Sequence, residues 1–264
     1  MIITSEKATR QQTKEHNKRL IFKTIYDQGQ ISRADIARLT QLTRATVSSL
    51  VGELIEAGLV KEIGYEPSRG GKPGTLLSLI NDSRSLIGVD LANSEFRGAV
   101  INLRGEVKHR LSWPIHDTNG EAALALVYEL IDALAARADR PLLGIGIGTP
   151  GLMNPQRGLV RRAVNLDWAD LPLGNLLEQR YDLPVYIAND SQVAALAEYT
   201  FGKGQNNSNL IVVKVGRGIG AGILLNGQLF YGDGFGAGEI GHIKIEEDGE
   251  LCRCGNFGCL ETSV

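Results

Sequence analysis

All three cysteines of the chain fall within eight positions, in the stretch CRCGNFGC at residues 252–259. Reduced thiolates crowded on a glycine-rich turn are good Zn²⁺ ligands, and a tetrahedral sphere then needs one donor more. His242 stands ten residues upstream in GEIGHIKIEE, a stretch that predicts strand and turn. Its imidazole can therefore fold back onto Cys252, Cys254 and Cys259. An odd thiol count disfavours a simple disulfide framework, although ordinary thiols or a Cys252–Cys259 disulfide stay open on spacing alone. Residues 1–12 (MIITSEKATRQQ) lack the apolar core of a secretory signal, which fits thiols kept reduced.

The elements that must position these groups belong to a chain of 264 residues, 43% of them hydrophobic, a length that suits two domains with sizeable cores. No apolar run approaches the ~18 to 20 residues of a membrane helix, so a soluble protein without membrane insertion is expected. The net charge of −2 conceals an asymmetry: residues 1–74 carry 12 Lys and Arg against 8 Asp and Glu, and the remainder 16 against 22. A basic N-terminal unit on an acidic body points to nucleic acid at one end and a different ligand at the other.

The first domain is placed at residues 1–82. Leu20, Ile21 and Ile25 recur at helical spacing in a helix over 15–28 that Gly29 stops. Ser32 reads as the N-cap of a short second helix, with Asp35 at the capping-box position, and Thr43 caps a third over 43–57. Two capped helices joined by TQL have the form of a helix-turn-helix. The start of the third helix carries small or hydrogen-bonding side chains, Thr43, Arg44, Thr46 and Ser48, which suit close approach to the major groove of double-stranded DNA. Strand-like pieces at 59–64 and 75–80 then flank a loop with Arg69 and Lys72, the form of a wing whose basic tip can enter a minor groove. A three-helix interaction domain with a solvated loop is the alternative.

The second domain is placed at residues 83–264. Three strand patterns, a helix over 121–138 and another strand (LLGIGIGTPG) predict an α/β sheet. LPVYIA at 183–188 gives one more strand, ending in Asn189-Asp190 before a helix. Asp190 reads as that helix's N-cap, although a carboxylate at the carboxyl end of a strand is also where α/β folds place ligands. The glycines of VGRGIGAG predict a hairpin-like turn that either brings backbone amides to a phosphate or simply joins two buried strands.

Taken together, GIGIGTPG, ANDSQVAALAEY, VGRGIGAGILLNG, GEIGH and CRCGNFGCLE, in that order over residues 87–261, resemble the ROK family of sugar kinases and sugar-responsive repressors. The resemblance implies an actin/hexokinase-like (ribonuclease H-like) body behind the winged helix-turn-helix. It implies structural Zn²⁺ at His242, Cys252, Cys254 and Cys259, and sugar contacts from Asn189, Asp190, Glu239, His242 and Glu261. In the family's kinases the equivalent of Asp190 is the general base. Those kinases also carry Asp-x-Gly-Gly-Thr where this chain has Asp90-Leu91-Ala92-Asn93-Ser94, and Arg217 replaces a threonine of a second phosphate loop, so ATP and Mg²⁺ are not expected. The winged helix and RGGKP resemble the repressor branch, with an ATP-dependent sugar kinase carrying a DNA-binding module as the alternative. Resemblance to the repressor branch implies a cytoplasmic regulator, a dimer or tetramer that binds operator DNA and a sugar or sugar-phosphate effector. Family members continue for roughly a hundred residues beyond the cysteine cluster, far more than loop variation, so the second lobe is expected to be incomplete.

Overall fold

The computed structural model describes residues 9–65, 73–91, 94–115, 118–204, 207–216 and 218–263. Its first helix, α1 (Arg10–Gln28), begins earlier than the apolar stripe suggests because Thr9 and Gln12 form a reciprocal capping box. The Gln12 amide donates to Thr9 Oγ1 (3.1 Å), and the Thr9 amide donates to the Gln12 side chain (2.7 Å). Gly29 ends the helix at φ 72°, a conformation that glycine adopts without strain. A three-residue strand β1 (Gln30–Ser32) leads into α2 (Arg33–Thr40) and α3 (Arg44–Glu56), followed by β2 (Val60–Tyr65) and β3 (Thr75–Leu79). Ser32 and Thr43 are the caps, accepting from the amides of Asp35 and Thr46.

Helical spacing turns Ile21 and Ile25 of α1, Ile36 of α2 and Val47, Leu50, Val51 and Leu54 of α3 into one buried core. Each such side chain, fully withdrawn from water, contributes on the order of 1.5 to 3 kcal/mol. The strands form an antiparallel sheet in the order β1-β3-β2, with a register shift between Glu62 and Gly64 in the otherwise exposed edge strand β2. Three helices and this sheet are a winged helix-turn-helix, and the loop that carries Arg69 and Lys72 lies outside the described residues.

The chain divides after Arg84 into two units, and the second is a mixed α/β body. Strands β4 (Ser85–Leu91), β5 (Glu95–Asn102) and β6 (Val107–Pro114) form an antiparallel meander. Helix α4 (Gly120–Ala135) then crosses to β7 (Leu142–Thr149), which runs parallel to β4. Three short strands, β8 (Leu152–Asn154), β9 (Leu159–Ala163) and β10 (Trp168–Leu171), make a small antiparallel sheet. Helix α5 (Leu173–Tyr181) leads to β11 (Val185–Asn189), parallel to β7. The main sheet therefore reads β11-β7-β4-β5-β6, the first strand central. Alternation along β4 buries Ile87, Val89 and Leu91, with the α4 side chains Val127, Leu130, Ile131 and Leu134 in the same core.

Helix α6 (Asp190–Phe201) starts directly at the end of β11 and packs on a second sheet, β12 (Leu210–Val215), β13 (Ile219–Leu225) and β14 (Gln228–Leu229). The glycine-rich segment is the β12–β13 hairpin, with Val215 paired to Ile219. Close packing accounts for one of its glycines. A Cβ on Gly222 would run into the Ser191 carbonyl of α6. No helix among the described residues is long and apolar enough to cross a membrane.

Candidate functional sites

At the start of α3, Thr43, Arg44 and Ser48 are exposed and Thr46 is half-buried. The Thr43 and Thr46 hydroxyls hydrogen-bond to each other (2.9 Å), and Thr43 Oγ1 also accepts the Thr46 amide (3.1 Å). Two of the four side chains named from the sequence thus also build the helix end. Arg44 and Ser48 line a concavity of about 300 Å³ together with Ser32, Arg33 and Thr75. Arg33, not identified from sequence, sits directly after the Ser32 cap and holds Glu62 of β2 at 2.9 Å. Elsewhere in the unit, Lys14 and Lys18 of α1 hold Glu53 of α3, and the Lys14 hydrogen bond lowers the Glu53 carboxyl below its ordinary value.

In the body, the strand-to-helix junction at 189–190 corrects one expectation. Asn189, not Asp190, is the N-cap of α6: it has extended backbone angles, and its Oδ1 accepts from the amides of Ser191 (2.8 Å) and Gln192 (3.4 Å). Its Nδ2 donates to the Gly151 carbonyl (3.0 Å), tying β11 to the turn after β7. Asp190 is thereby the first helical residue. Its Oδ1 accepts the Ser191 amide (2.9 Å), and its Oδ2 accepts from Lys214 Nζ of β12 (2.6 Å). Lys214 was not singled out from the sequence, since its partner lies 24 residues away on another element. Asp90, at the carboxyl end of β4, feels both Lys214 and Asp190, and burial raises its carboxyl above the ordinary value. Ala92, Asn93 and Arg217 lie outside the described residues.

The third group centres on His242, which ends a short 3₁₀ turn (Ile240–His242); only an isolated bridge between Lys244 and Cys259 follows where the sequence predicted strand. That bridge, with a second between Leu251 and Phe257, folds the cysteine loop back under the imidazole. Cys252 Sγ lies 3.6 Å from His242 Nδ1, and the sulfurs of Cys254 and Cys259 are 3.7 Å apart. The four donor atoms all lie within 4.8 Å of one another, and Cys252 and Cys259 are buried. Donors at about 2.0 to 2.3 Å from the centre of a tetrahedron stand about 3.5 to 3.8 Å apart, so the cluster is of the size that a small divalent cation needs. The three thiols are shifted in different directions: burial pushes Cys252 up to about 12 and raises Cys259, whereas a hydrogen bond from the Asn256 backbone lowers Cys254. A cation bound among them would favour the thiolate form of all three.

The carboxylates named from the sequence surround the same imidazole. Glu239 Oε2 lies 3.8 Å from His242 Nε2, and burial raises the Glu239 carboxyl. Glu261 Oε1 lies 3.5 Å from His242 Nδ1 and accepts the Cys252 thiol (3.0 Å), so this carboxylate borders the sulfur cluster. Its other oxygen lies above Gly218, where a Cβ would stand 3.1 Å away. Glu239 also feels the charges of Asp190 and Glu261. The structure therefore brings Asp190, Glu239, His242 and Glu261 into one electrostatic neighbourhood of hydrogen-bonding groups.

A winged helix-turn-helix joined to a body whose first strand is central, with acceptors at its strand ends, is the architecture of a two-unit α/β protein of the actin/hexokinase-like class. Residues 86–264 match the model of the ROK family, and residues 20–72 match that of the MarR family. The chain belongs to the ROK family. It is 41% identical over 253 residues to the xylose repressor of Caldicellulosiruptor bescii, covering 94% of this chain and 63% of that protein. It is 35% identical over 255 residues to the N-acetylglucosamine repressor of Escherichia coli O6:H1, covering 94% and 62%. A crystal structure of a ROK family transcriptional regulator, a homologue of the E. coli MLC protein, superposes with a TM-score of 0.80 at 34% identity, covering 95% of this chain and 64% of that one. The chain thus spans less than two thirds of the length of each of these three proteins.

Proposed function

We propose that the protein is a cytoplasmic DNA-binding transcriptional regulator, a repressor of carbohydrate-utilisation genes whose hold on operator DNA is modulated by a bound sugar. The observation that carries this reading is the union in one chain of α3, with Arg44 and Ser48 exposed at its start, and a body holding Asn189, Asp190, Glu239, His242 and Glu261 near one another. The names of the two repressors and of the regulator structure support it. Residues 1–82 act as the DNA-binding domain and 83–264 as the sugar-binding domain. Arg44 contacts a base or phosphate, with Thr43, Thr46 and Ser48 beside it and Arg69 and Lys72 in the minor groove. A homo-oligomer presents two such helices to an inverted repeat.

Within the body, carboxylates and the Asn189 amide accept and donate hydrogen bonds to vicinal hydroxyls. His242, Cys252, Cys254 and Cys259 hold a structural Zn²⁺, a reading that the size of the cluster supports. Nδ1 of His242 faces the sulfurs and Nε2 faces Glu239, leaving the second nitrogen on the ligand side. Sugar binding then shifts the population between operator-competent and incompetent forms. Asp190 accepts one hydrogen bond on each oxygen, from the Ser191 amide and Lys214, and its remaining lone pairs can accept from a sugar hydroxyl. Footprinting on genomic DNA with and without a sugar panel tests the reading. A protected inverted repeat lost on adding one sugar is expected; no protected site, or protection that survives deletion of residues 1–82, refutes it.

A further inference from the structure

Three elements meet around the concavity of the first unit. Ser32 and Arg33 open α2, Arg44 and Ser48 lie on the first two turns of α3, and Thr75 opens β3. Its wall therefore carries two guanidiniums and three hydroxyls, and among the described residues no carboxylate lines it. The buried Ser32 hydroxyl is committed to Asp35, accepting that residue's amide and donating to its carboxylate (2.9 Å). Asp35 in turn holds Arg38 (2.8 Å), which is not part of the wall. The groups that remain to meet a ligand are Arg33, Arg44 and the hydroxyls of Ser48 and Thr75, all of which can donate.

Arg33 is held in place from the far side. Its Nη2 donates to Glu62 Oε1 of β2 at 2.9 Å. A guanidinium carries five donors on a rigid fork, so one bond to a carboxylate orients its plane and leaves donors for a second acceptor. Arg33, Arg44 and Glu62 together carry one net positive charge. That matches the single negative charge of a phosphodiester, whereas a phosphate monoester carries about 1.5 to 2. Place points the same way as charge. In a helix-turn-helix the first helix of the pair crosses the DNA backbone while the second enters the groove, and Arg33 belongs to the first.

We propose that this concavity seats one phosphodiester of the DNA backbone, gripped by Arg33 with Arg44 beside it. This rests on the DNA-binding reading above and adds to it a backbone contact from α2. The first test is fluorescence anisotropy of the full chain on a random-sequence duplex over a range of salt, which needs no operator. In Arg33→Ala the plot of log Kd against log salt concentration should be shallower by about 0.9, the loss of one phosphate contact. Affinity should fall about tenfold on random and footprinted duplexes alike, since a backbone contact carries no sequence information. Arg33→Lys keeps the charge and should keep the parent's slope. A slope unchanged in Arg33→Ala, a slope lowered as far in Arg33→Lys, or a loss confined to the footprinted sequence removes Arg33 from the role.

The second test locates the phosphate. A single uncharged methylphosphonate moved along the footprinted site should find one position per half-site whose neutralisation weakens the parent about tenfold and Arg33→Ala no further. Additive losses at every position overturn the seat and leave DNA binding standing; no binding to any duplex overturns both. Replacing chloride with inorganic phosphate at equal ionic strength should displace no more DNA. Greater displacement would mark a seat for free phosphate and overturn the assignment to the backbone.

Discussion

Along α3, the polar groups proposed to meet DNA sit on the surface, and the hydrogen bonds that shape them close within three residues of chain, as from Thr43 to Thr46. Asp190, Lys214, Glu239, His242, Glu261 and the three thiols come from four separate stretches, and several of them shift one another's ionisation. The first arrangement is a stiff scaffold carrying replaceable side chains. The second is held together by the groups that would do its work, so a change there acts on local structure and ligand together.

Removing a sulfur should have the largest effect. Cys254→Ser takes away one of the four donor atoms gathered at His242, in the loop closed by the Leu251–Phe257 bridge, and a chelator would take away the Zn²⁺ proposed above. Because metal binding is coupled to local folding, faster hydrogen exchange over 239–262 and loss of the sugar response are expected, with operator affinity in the absence of sugar nearly unchanged. Elemental analysis should report close to one zinc per chain before the substitution. Equal loss of DNA binding would break the contrast between the two regions.

Arg44→Ala probes the other side. If its guanidinium reads a base, about 1 to 3 kcal/mol of specific affinity is lost and the melting temperature stays put. Gel shifts on cognate and scrambled sites distinguish a base contact from a phosphate contact, since only the former relaxes sequence preference. Thr43→Ala sharpens the comparison further. Its hydroxyl caps α3, so a stability loss of about 1 kcal/mol is expected by chemical denaturation. Any loss of affinity beyond the change in folded fraction would mark a direct DNA contact as well.

How legible each region is in sequence follows the same division. Ser32, Thr43 and Gly29 announce helix ends because a cap and its amide lie within four residues of each other. The Cys/His cluster is legible only in part: the crowded thiols and His242 point to a cation site, but ordinary thiols or a disulfide stay open on spacing alone, and the fold is what brings the four donor atoms within 4.8 Å of one another. Asp190 reads as the cap in sequence because Asn and Asp cap equally well, and only the backbone decides: Asn189 takes φ −60° and ψ 141°, outside the helix. Lys214 gives no local signal, because its contact depends on how α6 packs against β12. The three strands from Leu152 to Leu171 are three to five residues long, too short for alternation to stand out.

The smallest expected effect concerns Asp90, whose carboxyl is raised chiefly by burial, with Lys214 acting in the opposite direction. The folded chain therefore holds this proton more tightly than the unfolded chain, whose carboxyl titrates near 3.8. Stability contributed by the protonated form is present below that value and is lost as pH rises through the higher folded pKa. Asp90→Asn removes the cost of ionisation at constant shape, so it should melt above the parent at pH 7, with the difference vanishing as pH falls below 3.8. The site is partly open to solvent and Lys214 offsets some of the penalty, so the gain should not exceed about 2 °C. Paired thermal melts of parent and variant from pH 3 to 8 measure it, and the difference between them cancels the titration of the other carboxylates. A variant that melts below its parent at pH 7 would show that attraction to Lys214 outweighs burial at Asp90. The groups of the body's site would then be bound by ion pairing more than strained by crowding.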